Sequence, residues 1–99
     1  MPYLVIWTNT ARQGLEAAYT FLAEKDDEAA IAAIKSIREK VLLLSQFPNA
    51  GRPAVDLEPE HRELVIPFGS TGYVLLYRYA DNENTISILA IRHQKDVGY

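Results

Sequence analysis

The fold is decided by residues 62–92, which read RELVIPFGSTGYVLLYRYADNENTISILAIR. Three runs in this stretch are rich in β-branched, aromatic and other apolar side chains, as is typical of strands. The runs are residues 62–68, 73–79 and 85–92. The segments between them, 69–72 and 81–84, have the glycine, aspartate and asparagine content of turns. The stretch therefore predicts an antiparallel meander. Pro67 should lie at a strand end, a bulge or an edge, because proline has no N–H to donate.

Upstream of the meander, two segments have the periodicity of amphipathic helices. The first follows Thr10, which begins a capping-box pattern with Gln13, although Thr8 is a competing cap. Its apolar stripe contains Ala11, Leu15, Ala18, Tyr19 and Leu22. The second helix follows a turn at residues 25–28 and should run to about Gln46. So short a turn predicts an antiparallel helical hairpin.

The second predicted helix has more apolar surface than one stripe requires. At about 100° per residue, one set gathers on the same side. This set is Ala30, Ile34, Ile37, Val41 and Leu44. Leu43 points almost opposite to Ile34, and Ile31 and Leu42 lie on a flank. Ile31, Leu42 and Leu43 are therefore candidates for a partner-binding surface. The alternative is that another part of the fold, such as the 48–61 loop, covers them.

The remaining segments complete the predicted topology. Residues 3–7, YLVIW, are apolar at both alternating sets of positions, which favours an inner strand covered on both faces. Residues 48–61 contain Pro48, Gly51 and two further prolines and predict one long loop. The order β-α-α-β-β-β predicts an α+β fold with a helical hairpin packed on an antiparallel sheet. We expect a single domain spanning residues 1–99.

The composition excludes several classes of function. The 99 residues include no cysteine, which removes disulfides, thiolate nucleophiles, zinc–cysteine sites and iron–sulfur clusters. The net charge of -3 is not the basic balance of a phosphate-binding protein, so direct nucleic-acid binding should be weak or absent. Neither a membrane span nor a signal peptide is visible, so we expect a cytoplasmic protein without a membrane partner.

No cofactor or metal is expected. Residues 69–72 have the glycine content of a phosphate loop, but they join two strands and no helix N-terminus follows. The two histidines lack the helical spacing of a metal site. No serine has the flanking glycines of a nucleophile elbow.

Cationic side chains along the strand runs offer a metal-free chemistry. Arg62 opens one run, Arg92 and His93 end the last, and Tyr99 lies in the tail. Arginine can hold a phosphate through paired N–H donors, histidine can transfer a proton, and a tyrosine hydroxyl can position the group, so RNA cleavage is compatible with this set. The alternative is that His93 caps a strand end and that the arginines form ion pairs on a solvated face. In this alternative Arg62, Arg78 and Arg92 pair with Glu63, Asp81 or Asp96.

Motifs over nearly the whole chain resemble the ParE/RelE superfamily, the toxin half of type II toxin–antitoxin pairs, whose members are sometimes labelled plasmid-stabilisation proteins. These motifs are Trp7-Thr8 with Ala11 and Leu15, Phe47-Pro48 with Gly51-Arg52-Pro53, and residues 62–67, 72–78 and 88–93. The resemblance implies the same helical hairpin on a sheet and a cognate ParD-like antitoxin as a partner.

The resemblance also bears on the target. RelE-like members cut messenger RNA on the ribosome, whereas ParE-like members inhibit DNA gyrase. In the nucleases a phosphate-binding arginine follows the Gly-Tyr of the middle strand, where this chain has Val74. The paired basic residues of the preceding strand are reduced to Arg62, with Leu64 at the second position. The resemblance therefore favours a gyrase inhibitor that acts by binding.

The alternative implied by the resemblance is a metal-free, ribosome-dependent ribonuclease. In it, Arg62 and Arg92 would hold the phosphate, His93 would act as base or acid, and Tyr99 would orient the group.

Overall fold

The computed structural model describes residues 3–55, 57–69, 71–80 and 82–95. Its elements are β1 (Leu4–Trp7), α1 (Asn9–Ala23), α2 (Asp27–Gln46), β2 (Arg52–Pro53), β3 (His61–Phe68), β4 (Thr71–Ala80) and β5 (Thr85–His93). The strands form one sheet in the order β1-β5-β4-β3-β2, and both helices pack on one of its faces. The predicted α+β class and element order are confirmed. The predicted loop contains one short additional strand, β2, which pairs with β3.

The predicted antiparallel meander is confirmed as β3, β4 and β5. Val65 lies opposite Val74, and Val74 lies opposite Arg92, so the three strands pair side by side with β4 in the middle. A bulge between Leu76 and Tyr77 shifts the pairing with β5. Pro67 is next to the last residue of β3, where the sequence placed it.

The prediction that residues 3–7 form an inner strand is wrong. β1 lies at the edge of the sheet and pairs in parallel with β5, which makes the sheet mixed. Val5 and Trp7 pack on the core, whereas Leu4 and Ile6 are 62% and 46% exposed. The helices cover only one sheet face, so the second set of apolar side chains in this strand has no cover among the described residues.

The helix starts correct one capping prediction and confirm another. The hydroxyl of Thr8, rather than that of Thr10, accepts the Ala11 N–H at 3.2 Å. It also donates to the Ile88 carbonyl of β5 at 2.7 Å, so this cap joins α1 to the sheet, which a local pattern does not reveal. Asp26 caps α2 by accepting the N–H groups of Glu28 and Ala29.

The core lies between the helix pair and the sheet. Its buried members are Ala11, Ala33, Ile37, Val41, Leu44, Leu64, Ile66, Tyr73, Leu75, Tyr77, Ile86 and Ile88. The predicted stripe of α2 is confirmed except at Ile34, which is only half-buried. Ala33 takes its place in the core because Ile34 is turned about 60° from Ile37, toward α1.

No helix in the described part of the chain is long and apolar enough to cross a membrane.

Candidate functional site

The strand register separates the predicted catalytic residues. Arg62 lies opposite Tyr77 and His93 lies opposite Tyr73, so both are on the helix-covered face of the sheet. They are two strands apart and displaced by four residues, which is about 13 Å along the strands. Arg92 lies opposite Val74 and is on the uncovered face. Tyr99 lies outside the described residues. The described members of the set are therefore not brought together.

Arg62 binds the loop that follows α2. Its Nε–H donates to the Gly51 carbonyl at 3.0 Å. Its Nη2 donates to the same carbonyl at 2.5 Å and to the Asn49 carbonyl at 3.4 Å. These donors are used to hold the backbone of the loop, so this arginine has a structural role in the fold.

Tyr77 holds the same loop from β4. Its fully buried hydroxyl donates to the Pro48 carbonyl at 2.6 Å and accepts the Gly51 N–H at 3.0 Å. Burial raises the pKa of Tyr77, although the bond from Gly51 and the charge of Arg62 oppose that rise. A β-carbon at Gly51 would collide with the Glu63 carbonyl and lie 2.7 Å from this hydroxyl. The approach of loop to sheet therefore requires glycine here.

His93 joins the start of β4 to the end of β5. Its Nδ1 accepts the Lys95 backbone N–H at 3.1 Å, and its Nε2 lies 3.2 Å from the Thr71 hydroxyl. Because Nδ1 is an acceptor, the neutral ring carries its proton on Nε2 and donates it to Thr71. The ring also packs edge-on against Tyr73. This arrangement agrees with the alternative in which His93 caps a strand end.

Arg92 and Arg78 lie on the uncovered face of the sheet and make contacts of a different kind from those of Arg62. Arg92 donates from Nη1 to the His93 carbonyl at 3.4 Å. Arg78 forms a two-pronged ion pair with Glu83, at 3.0 and 3.1 Å. This pairing raises the pKa of Arg78 and lowers the pKa of Glu83. Arg78 therefore forms an ion pair on a solvated face as the alternative predicted, but its partner is Glu83, and Arg62 binds backbone carbonyl groups instead of a carboxylate.

Two of the three partner-binding candidates line one groove. Ile31 and Leu42 are 61% and 69% exposed and face a groove of about 650 Å³ between α1 and α2. Its other apolar lining residues are Leu15, Tyr19 and Ile34. Leu43 is 40% exposed and lies outside this groove, on another side of α2. The described residues of the 48–61 loop leave all three side chains exposed, so that alternative is wrong for the described part of the chain.

A second pocket extends the groove to the sheet edge. It has a volume of about 510 Å³, and it shares Leu15, Arg38 and Leu42 with the groove. Its remaining lining residues are Val5 and Trp7 of β1, Arg12 of α1 and Val41 of α2. Sequence reasoning missed Arg12 and Arg38. The available signal was their helical spacing of three and four residues from Leu15 and Leu42, respectively.

The described residues also form a further pocket and a group of possible metal ligands. A pocket of about 540 Å³ lies between α1 and the strand ends, where Phe21, Tyr73 and His93 are among its lining residues. Near the start of β3, Glu58, Glu60 and His61 each offer a ligand atom, all within 4.8 Å of one another. The expectation that the protein holds no metal stays a prediction.

Comparisons with known proteins agree with this geometry. The family described as "ParE toxin of type II toxin-antitoxin system, parDE" matches residues 5–98. Toxin RelE1 of Caulobacter vibrioides is 30% identical over 78 residues, which cover 79% of this chain and 81% of that protein.

Solved structures give the same result. The chromosomal ParDE toxin–antitoxin system from P. aeruginosa contains a chain with a TM-score of 0.78 and 28% identity, covering 94% of this chain and 97% of that one. The RelBE2 toxin–antitoxin complex from Mycobacterium tuberculosis gives 0.65 and 26%, covering 94% and 99%. The structure of a mutant of E. coli toxin RelE in the free state shares the fold, with a TM-score of 0.65 and 13% identity. The match covers 92% of this chain and 82% of that one. The chain therefore belongs to the ParE/RelE superfamily, as a ParE-family toxin of a type II toxin–antitoxin system.

Proposed function

We propose that this toxin is neutralised by a cognate ParD-like antitoxin and inhibits DNA gyrase by binding to it. The observation that carries the proposal is the use of Arg62 and His93 in hydrogen bonds that hold the fold. Val74, at the position where the nucleases carry a phosphate-binding arginine, is buried on the uncovered sheet face near Arg92. These features favour inhibition by contact over a chemical reaction at this sheet.

The antitoxin site that we propose is the groove between α1 and α2, with Ile31 and Leu42 as its exposed contacts. An apolar groove of this kind accepts the apolar face of an amphipathic helix. The solved relatives from P. aeruginosa and M. tuberculosis are toxin–antitoxin systems, which supports an antitoxin partner here. Leu43, on another side of α2, is an additional contact if the antitoxin wraps around this helix.

The second candidate function is a metal-free ribonuclease of the RelE type. It is favoured by the identity shared with Toxin RelE1, although Arg92 and His93, which are consecutive at the end of β5, lie on opposite faces of the sheet. In this function Arg62 and Arg92 would hold the phosphate, His93 would transfer the proton, and Tyr99 would orient the group. It requires Arg62 and His93 to exchange their present hydrogen-bond partners for substrate.

An experiment in cells tests the proposal. Induced expression of the toxin should stop growth and leave plasmid DNA less negatively supercoiled, because gyrase supplies that supercoiling. Co-expression of the protein encoded by the neighbouring reading frame should restore both growth and supercoiling. Growth arrest with normal plasmid supercoiling and fragmented messenger RNA would instead support the ribonuclease.

A further inference from the structure

We infer that Arg12 and Arg38 together bind a carboxylate side chain of the antitoxin, at the point where the α1–α2 groove meets edge strand β1. The inference rests on the proposed function, because it assigns a chemistry to one part of the surface that the antitoxin would occupy. It adds a charged specificity contact at one end of a groove whose exposed lining is mainly apolar and whose charged lining residues include Glu16, Lys35 and Glu39.

Two arginines lie where the α1–α2 groove meets the second pocket, which we call the junction pocket. Arg38 lines both the groove and the pocket that continues it, and Arg12 lines the second pocket from the facing helix. Trp7 and Val5 bring the edge strand to the same pocket. A polypeptide that leaves the groove toward the sheet edge therefore passes between a guanidinium on α1 and a guanidinium on α2.

The junction pocket is positively charged. The junction pocket is lined by two arginines and five apolar residues, whereas the carboxylates of Glu16 and Glu39 line the adjoining groove. The ion pairs that join Arg52 to Glu63 and Arg78 to Glu83 involve neither Arg12 nor Arg38. Both of these side chains are exposed. The junction is thus a local positive site on a chain whose net charge is -3.

The position and the charge of the two arginines indicate a carboxylate as the ligand. A guanidinium binds a carboxylate through two parallel N–H donors, and two guanidinium groups can share one carboxylate. Apolar walls such as Trp7 and Leu15 exclude water when a ligand fills the pocket, which strengthens the attraction. The occupant is therefore an antitoxin segment with apolar side chains for the groove, followed by an aspartate or glutamate at the junction.

The test uses charge reversal with a matched control on the same helix. Arg12→Glu and Arg38→Glu reverse the two proposed contacts. Lys40→Glu makes the same change of charge about 160° away around α2 from Arg38, and Lys40 lines neither the groove nor the junction pocket. Arg38→Lys keeps the charge but loses the two-pronged geometry. Circular dichroism checks that each variant is folded.

Calorimetry would measure the affinity of each variant for the purified protein encoded by the neighbouring reading frame. We expect Arg12→Glu and Arg38→Glu each to raise Kd by about 10- to 100-fold, and Arg38→Lys by much less. Lys40→Glu should change Kd by less than about threefold. Added sodium chloride should weaken binding of the parent more steeply than binding of a variant that carries both Arg12→Glu and Arg38→Glu.

Two outcomes separate the possible failures. Binding of the folded Arg12→Glu and Arg38→Glu variants at the affinity of Lys40→Glu would overturn this inference and leave the antitoxin partner standing. Failure of the unmodified toxin to bind the neighbouring gene product would overturn the proposed antitoxin partner, and this inference with it.

Discussion

Arg62 and Tyr77, which lie opposite each other on β3 and β4, bind the two polar backbone groups of the same residue, Gly51. Arg62 donates to its carbonyl and Tyr77 accepts its N–H. Tyr79, farther along β4, donates to the Asn49 side chain of the same loop. The loop after α2 is therefore held by strand side chains, and the position that the family resemblance linked to phosphate binding serves this attachment.

Replacing Tyr77 by phenylalanine should destabilise the fold. The change leaves the Gly51 N–H and the Pro48 carbonyl without the hydroxyl that now satisfies both. We expect a loss of about 1–3 kcal/mol in the free energy of unfolding, because buried polar groups without partners are costly. Urea denaturation measures it. The control is Tyr19→Phe, at a 42% exposed tyrosine on α1, which should change the free energy by less than about 0.5 kcal/mol. Equal effects of the two substitutions would contradict the structural role of the Tyr77 hydroxyl.

Alkaline pH should weaken the fold through the buried tyrosines. Burial raises the pKa of Tyr73 and of Tyr77 above the ordinary value of 10.0. Their contribution to stability is fully present below that value and is lost as pH rises through the folded-state pKa, because the unfolded chain ionises first. Urea midpoints measured from neutral pH to above pH 10 should fall, and the fall should be smaller in Tyr77→Phe. An identical pH dependence in parent and variant would show that Tyr77 does not contribute.

Acidic substitutions on α2 should separate the antitoxin surface from the core. Leu42→Glu and Ile31→Glu should leave the toxin folded but weaken antitoxin binding at least about tenfold, because each removes an exposed apolar contact of the groove. At Leu42 the new carboxylate would also compete with the carboxylate of the antitoxin for Arg38. Leu43→Glu should have a smaller effect, since Leu43 lies outside the groove. Ile37→Glu places a charge at a fully buried position and should unfold the domain. Circular dichroism and calorimetry report folding and affinity.

Parental affinity in the folded Leu42→Glu variant would move the proposed contact away from the groove. Pairing along the exposed edge of β1 would then become the preferred mode of antitoxin binding.

Substitution of His93 distinguishes the two candidate functions. His93→Gln keeps a side chain that can hydrogen-bond with Thr71 but cannot act as a base near neutral pH. A toxin that acts by binding should arrest growth at the same expression level with this variant as with the parent. Growth curves after induction, with the protein level checked on a gel, provide the measurement. Loss of toxicity with folding intact would favour the ribonuclease.

Much of the fold could be predicted from the sequence because its determinants are local. The strand runs of residues 62–92, the Asp26 cap and the end of α2 each depend on neighbouring residues only. The position of β1 at the sheet edge could not be predicted. Residues 3–7 are apolar at every position, and this pattern does not distinguish an edge strand with one uncovered face from an inner strand covered on both faces. Thr8 was the correct cap for a tertiary reason, its bond to Ile88.

Part of the candidate site could also be predicted from the sequence. The helical angles of Ile31 and Leu42 were sufficient to place them off the core side of α2. The pairing of Arg12 with Arg38 was not accessible, because it depends on how α1 and α2 pack against β1. The role of Arg62 likewise depends on where a loop 11 residues away in sequence presents its carbonyl groups.

A supercoiling assay with purified components tests the central claim most directly. Relaxed plasmid, ATP and DNA gyrase are incubated with increasing amounts of the toxin, with and without saturating antitoxin, and the folded toxin is also added to translating ribosomes. We expect supercoiling to be inhibited in proportion to toxin, to recover when antitoxin is present, and messenger RNA to stay intact. Full gyrase activity at every toxin concentration, together with cleaved messenger RNA on the ribosomes, would contradict inhibition of gyrase by binding.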